Sequence, residues 1–165
     1  MALIGLISDT HSYLDPAVFE HFKDCDEIWH IGDIGDRSVL DQLISFKPVK
    51  AVFGNIETQE LRHEIPEDLI FEIEGLKVFI THIGSLPGKY SARIKKIIKF
   101  HQPNLFICGH SHILRVIKDP ANKGMVYLNP GAAGKHGFHQ VRTLMRMQIE
   151  QSKITNLEVI ELGKR

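Results

Sequence analysis

The sequence predicts an α/β fold in which a half built from parallel crossover units precedes an antiparallel half. Three observations predict it. Between Leu3 and Glu57, three short apolar runs alternate with polar loops and helical spacings, the signature of strand–helix–strand crossovers. Beyond Leu114 the runs follow one another through short turns with no convincing helix between them, which suits antiparallel pairing. Five of the runs also end in polar residues able to bind a metal, at the carboxyl ends of strands where sites of α/β sheets lie.

Leu3 to Ser8 reads as a buried strand, and Asp9 and His11 follow just past its end. Pro16 to Lys23 reads as a helix, with Val18, Phe19 and Phe22 as its apolar positions, Asp15 placed to cap it and Pro16 at its first position. Ile28 to Ile31 is a second strand and runs into Gly32-Asp33-Ile34-Gly35-Asp36. Val39, Leu40, Leu43 and Ile44 have helical spacing, and Pro48 to Phe53 forms a third strand ending in Gly54-Asn55-Ile56-Glu57. Leu69 to Ile73 and Lys77 to Thr81, separated by Glu74-Gly75-Leu76, suit a hairpin whose second strand ends at His82. A loop from Ile83 to Tyr90 leads to a helix with Ile94, Ile97 and Ile98 on its core face and Arg93, Lys95, Lys96 and Lys99 toward water. Leu105 to Cys108 is a strand running into Gly109-His110-Ser111-His112. Further strands fall near Leu114–Lys118, Met125–Leu128, Thr143–Gln148 and Thr155–Glu161.

Composition narrows the partners. The chain has 165 residues, enough for one domain to bury a core without disulfide or metal staples. Lysine plus arginine and aspartate plus glutamate number 20 each, so no basic field holds nucleic acid or an anionic membrane surface. Cys25 and Cys108 have no metal or redox spacing. The N-terminal apolar run is cut short by Asp9 and no stretch has membrane-spanning length, so a cytoplasmic protein is expected. Ten histidines are many for a chain of this size, and their positions are informative.

Asp9, His11, Asp33, Asn55, His82, His110 and His112 all stand at strand ends. Two carboxylates, one amide oxygen and four imidazoles exceed the needs of one ion. If one carboxylate bridges, they divide into two sets of four, each with room for water, as in hydrolases whose two ions lie ~3.5 to 4 Å apart. Mixed nitrogen and oxygen ligation suits manganese, iron, zinc or nickel better than magnesium or calcium.

The order Asp-x-His, Gly-Asp-x-x-Asp, Gly-Asn, a lone strand-end His and Gly-His-x-His resembles the calcineurin-like metallophosphoesterases, particularly their small single-domain prokaryotic phosphodiesterases. The resemblance spans Asp9 to His112. It implies a four-layer α/β/β/α sandwich of two mixed sheets over residues 1–165, and two divalent ions, manganese first, with iron, nickel or zinc as alternatives. One ion falls to Asp9, His11, Asp33 and His112, the other to Asp33, Asn55, His82 and His110, which makes Asp33 the bridge. It further implies in-line attack on phosphorus by a bridging water of lowered pKa, with Asn55 binding phosphate and His110 stabilising developing charge. The expected substrate is a small phosphoester, and the resemblance is compatible with a homo-oligomer.

The pattern departs from the family in two places. Many members carry a histidine directly after Gly-Asn, placed to protonate the leaving group, and here the residue is Ile56. Its absence weakens action on poor leaving groups, an effect of ~100-fold to 10,000-fold. Ile83 also separates His82 from Gly84, where the family has glycine next to the histidine. Glu57 is a candidate partner behind the ligands, and His30 a core histidine or one that orients a ligand. His21, His63 and His101 read as surface residues. The loop Asn129 to His139 resembles the family's Asn-Pro-Gly segment, and Lys135, His136 or His139 are candidate contacts to substrate phosphate. An alternative function is a protein-interaction scaffold, since a retromer subunit resembles the same small fold with an eroded metal site. All seven ligand positions here carry competent residues.

Overall fold

The computed structural model describes all of residues 1–165, and its layering begins with β1 (Ala2–Ile7). Successive side chains of a strand leave opposite faces. Ala2, Ile4 and Leu6 therefore join one core cluster, with Trp29, Ile31, Val78, Ile80, Leu105, Ile107 and Leu128. Ile7 joins another, with Val18, Phe22, Leu40 and Leu43. A strand apolar on both faces must be covered on both.

Strand β1 pairs in parallel with β2 (Glu27–His30), and β2 with β3 (Val49–Ala51). Helices α1 (Ala17–Phe22) and α2 (Arg37–Phe46) make the crossovers. Asp15 caps α1 as expected, its Oδ1 accepting from Ala17 N at 2.9 Å. Asp36 does the same for α2, accepting from Ser38 N at 2.8 Å. The helix α3 (Gln59–Glu64) has no counterpart in the sequence reading, because Leu61 is its only buried residue and one residue shows no period.

Strands β4 (Asp68–Ile73) and β5 (Leu76–Thr81) form the expected hairpin, and α4 (Ala92–His101) begins at Ser91, whose Oγ accepts from Ile94 N. The chain then forms β6 (Leu105–Ile107), β7 (Arg115–Asp119), a 3-10 turn at Pro120–Asn122, β8 (Met125–Asn129), β9 (Val141–Glu150) and β10 (Lys153–Lys164).

The antiparallel expectation beyond Leu114 holds for β7 with β8 and for β9 with β10, and is corrected for β8, which pairs in parallel with β6. The reason lies in β7. It carries the chain back along the edge of the sheet, so the return leg that a crossover helix normally supplies is itself a strand. The last hairpin crosses to the other sheet, β9 pairing antiparallel with β1. The two mixed sheets have the orders β10-β9-β1-β2-β3 and β4-β5-β6-β8-β7. They face each other across the first core cluster, α1 to α3 cover the outside of one, and α4 packs Ile94 and Ile98 on Phe79, Phe106 and Tyr127 of the other. This is the four-layer sandwich the resemblance implied. No helix is long and apolar enough to cross a membrane.

Candidate metal centre

The parallel strands of both sheets end on the same side, and the loops that follow are stitched together by their backbones. Asp9 N, His11 N and Ser12 N donate to the carbonyls of Gly32, Asp33 and Ile34 at 3.0, 3.0 and 2.8 Å, so the turns after β1 and β2 run side by side. His82, after β5, crosses between the sheets: its Nδ1 lies 2.7 Å from Ile31 O. A carbonyl can only accept, so Nδ1 carries the hydrogen and Nε2 presents a lone pair.

Six of the seven expected ligands fall into two groups, Asp9 with His11 and His112, and Asp33 with His82 and His110, the ligand atoms of each group lying within 4.8 Å of one another. Asn55 lines a cavity of about 180 Å³ beside His82, together with Arg62, Thr81, Ile83 and Arg93. A larger cavity, about 540 Å³, opens at the amino ends of β6 and β8 around Lys99, Asn104 and Lys123 and contains none of these residues.

Each carboxylate has one oxygen held and one presented. Asp9 Oδ2 accepts from Ser8 Oγ at 2.6 Å and from His110 N at 3.2 Å, while Oδ1 faces His112 Nε2 at 3.2 Å and His82 Nε2 at 3.9 Å. Asp33 Oδ1 accepts from Ile56 N at 3.2 Å, while Oδ2 faces His11 Nε2 at 3.4 Å and His82 Nε2 at 3.3 Å. Asp9 Oδ1, His11 Nε2 and His82 Nε2 are buried with no hydrogen-bond partner. Lone pairs turned on one another at these distances repel unless a cation lies among them, so the donor set fits divalent ions. A proton meets the same need at His82: burial pulls its pKa down, but the carboxylates of Asp33 and Asp9 outweigh burial and raise it. At Asp33 burial is likewise outweighed, here by His82, and the pKa falls. At His11 burial outweighs the carboxylates of Asp33 and Asp9, and the pKa falls. Both thiols are free and buried, and burial pushes each up to about 11, so neither supplies a thiolate.

The backbone at these positions is strained. Asp9, His11, Asp33, His110 and His112 have φ of 53°, 45°, 52°, 65° and 58°. Non-glycine residues avoid this left-handed region, at ~1 to 2 kcal/mol each, and strain of this kind gathers at functional sites. Gly54 is required for a different reason: its Cα backs onto Asp33, and a Cβ there would overlap the Asp33 carboxylate.

Behind the ligands are three braces. Glu57 is 5 % exposed and its carboxylate accepts from Asp33 N and Gly35 N, both at 3.1 Å, and from Gly54 N. It therefore clamps the turns after β2 and β3 together. Glu57→Ala leaves these donors unpaired, and at ~1 kcal/mol or more each the melting temperature should fall by about 10 °C. Glu57→Gln, which keeps an acceptor, should lose less; equal melting of the two variants would refute the clamp. Asn129 is the second brace, its Nδ2 donating to Gly109 O at 2.8 Å and Ser111 Oγ at 3.1 Å. Nothing in the sequence reading singled it out beyond its place in Asn-Pro-Gly.

His30 is the third brace. It is fully buried, Gly32 N donates to its Nδ1 at 3.2 Å, and its Nε2 donates to Thr10 Oγ1 at 3.0 Å, which in turn donates to Ile34 O. It is a satisfied core histidine that also steadies Thr10 between Asp9 and His11. Burial, partly offset by the charge of Asp9, pushes its pKa down to about 3. The unfolded chain takes up this proton near pH 6.5 and the folded chain does not. Stability from this residue is thus present above pH 6.5 and lost as pH falls toward 3, with a slope of up to about 1.4 kcal/mol per pH unit. His30→Gln should flatten the acid limb of a denaturant-midpoint curve, and an unchanged limb would count against this.

The remaining expected residues sit at the rim. His136 is exposed, with its ring 4.7 Å from that of His11. Lys135 Nζ lies over Tyr13 at 4.2 Å. His139 is placed differently from the expectation of substrate contact. Its Nδ1 lies 3.2 Å from His112 Nδ1 and its Nε2 2.8 Å from Gly134 O. Both nitrogens are engaged within the protein, so the ring has no donor left for a phosphate. His63 is exposed, whereas His21 and His101 are half-buried.

Clustered imidazoles and carboxylates at the strand ends of such a sandwich are the donor set of a metal-binding protein. Residues 2–152 match the model of the calcineurin-like phosphoesterase superfamily domain. The chain belongs to that superfamily, a family of metal-dependent phosphoester hydrolases. It is 34 % identical over 140 residues to a probable metallophosphoesterase of Methanothermobacter thermautotrophicus, covering 79 % of this chain and 76 % of that one. Its fold is similar to an archaeal phosphodiesterase (TM-score 0.73, 23 % identity, 97 % and 99 % of the two chains). It is also similar to Vps29 of Chaetomium thermophilum (TM-score 0.78, 16 % identity, 98 % and 97 %).

Proposed function

We propose that the chain hydrolyses phosphoesters, with phosphodiesters and activated monoesters ahead of simple alkyl monoesters, using two divalent ions. Asp9, His11, Asp33 and His112 would hold one, and Asp33, Asn55, His82 and His110 the other, with manganese the first metal to test. One observation supports the reading: Asp33 Oδ2 faces His11 of one cluster and His82 of the other at 3.4 and 3.3 Å, so this one carboxylate would serve both sites. When bound, such ions supply Lewis acidity toward a phosphoryl oxygen and a water of lowered pKa. The chain's own part is positioning. Asn55 orients the phosphate from the side of the cavity, His110 and His136 border the reacting group, and the buried Asp9 and Asp33 keep their presented oxygens fixed. The archaeal phosphodiesterase of the same fold favours diesters as the substrate class.

A second reading, a protein-interaction scaffold, draws on the likeness to Vps29 and on Ile56, 40 % exposed where many members have a histidine. Metal analysis combined with hydrolysis of a chromogenic diester and monoester separates the two. Metal-dependent turnover supports the enzyme; tight metal binding without turnover of either ester supports the scaffold.

A further inference from the structure

Outside the ligands themselves, the loop from Gly134 to His139 holds a hydrogen-bonded chain whose direction can be read without seeing a hydrogen. Gly134 O can only accept, so the hydrogen between it and His139, 2.8 Å away, sits on His139 Nε2. A neutral His139 then has a lone pair on Nδ1. Its neighbour at 3.2 Å is His112 Nδ1, which must be the donor. His112 therefore carries a hydrogen on Nδ1, and in the neutral ring the nitrogen left to meet a metal is Nε2, 3.2 Å from Asp9 Oδ1.

The loop is built to hold this arrangement. Gly134 N donates to Asp9 O at 3.1 Å, tying the acceptor end of the chain to the turn that bears the first cluster. Gly137, at φ 124°, lies flat against the link, and a Cβ there would overlap the His112 ring and approach His139 Nδ1 to 3.3 Å. The two rings meet edge to face, with centroids 5.1 Å apart. His82 achieves the same tautomer with a backbone carbonyl, Ile31 O; His112, on a more open turn, achieves it through a second histidine.

We propose that His139 is a positioning residue for the metal cluster of Asp9, His11 and His112: it orients His112 and sets its tautomer by accepting from His112 Nδ1 while anchored on Gly134 O. The proposal rests on the metal-dependent reading above for its consequence, and on hydrogen-bond geometry alone for the tautomer.

Two measurements on the full chain test it. In the metal-free wild type, long-range nitrogen–proton correlation of labelled histidine should show His112 protonated at Nδ1, and a His112 bare at Nδ1 would overturn the proposal. Manganese titration by calorimetry should give two ions for the wild type. His139→Ala should weaken one of them by ~10- to 100-fold, the usual effect of removing a ligand's hydrogen-bond partner, and leave the other unchanged. His139→Asn, whose Oδ1 can replace the Nδ1 acceptor, should restore most of that affinity. Equal weakening of both ions, no weakening, or failure of the asparagine variant to recover would overturn it. A wild type that binds no manganese would instead refute the metal-dependent function, and the tautomer measurement would still decide the role of His139.

Discussion

Asp33→Ala is expected to abolish metal-dependent turnover, by ~1,000-fold or more, and to remove both ions. The expectation follows from the one oxygen that faces both His11 and His82. Asp9→Ala is the matched control, because Asp9 Oδ1 lies nearer His112 of its own group, at 3.2 Å, than His82 of the other, at 3.9 Å, and it should cost one ion. Calorimetric stoichiometry of the two variants makes the comparison, and circular dichroism melting establishes that both fold. An Asp33→Ala protein that retains one ion at wild-type affinity would show that the clusters are separate, and the bridge would have to be abandoned.

The second large effect is a gain. Ile56→His should raise hydrolysis of an unactivated alkyl phosphoester by ~100-fold or more, while a nitrophenyl ester changes little, since its leaving group departs without a proton. The position tolerates the change. The Ile56 side chain is 40 % exposed, and the contact that matters to the site, Ile56 N to Asp33 Oδ1 at 3.2 Å, belongs to the backbone. Rates on the two esters under one metal condition test the idea; acceleration of both alike, or of neither, would refute a leaving-group role at this position.

Much of the candidate site was legible because its residue types and their placement are the same signal. A carboxylate or imidazole directly after an apolar run is conspicuous in sequence, and Asp9, His11, Asp33, His82, His110 and His112 all met that description. What was not legible depends on pairings between distant segments. Glu57 stands out in the sequence as a candidate partner behind the ligands, but what it holds shows only where three amides from two turns converge on it. His139 reads as a rim residue free to meet a phosphate until its neighbour proves to be His112, 27 positions away. In the fold, α3 escaped because a six-residue helix with one buried side chain has no periodicity to detect. The direction of β8 escaped because apolar alternation is the same in either sense of pairing, and only the return leg β7 decides it.

The left-handed backbone at five of the candidate ligands has a consequence for how such a chain drifts over generations. Asp9, His11, Asp33, His110 and His112 hold their φ values against an intrinsic preference of ~1 to 2 kcal/mol each, and glycine would hold the same geometry without that penalty. Replacing one of them by glycine would relieve the backbone but give up side-chain bonds, such as those Asp9 accepts from Ser8 Oγ and His110 N and Asp33 accepts from Ile56 N. None of the five belongs to the packed clusters that hold the layers together, so the sheets themselves place no requirement on which side chains these turns carry.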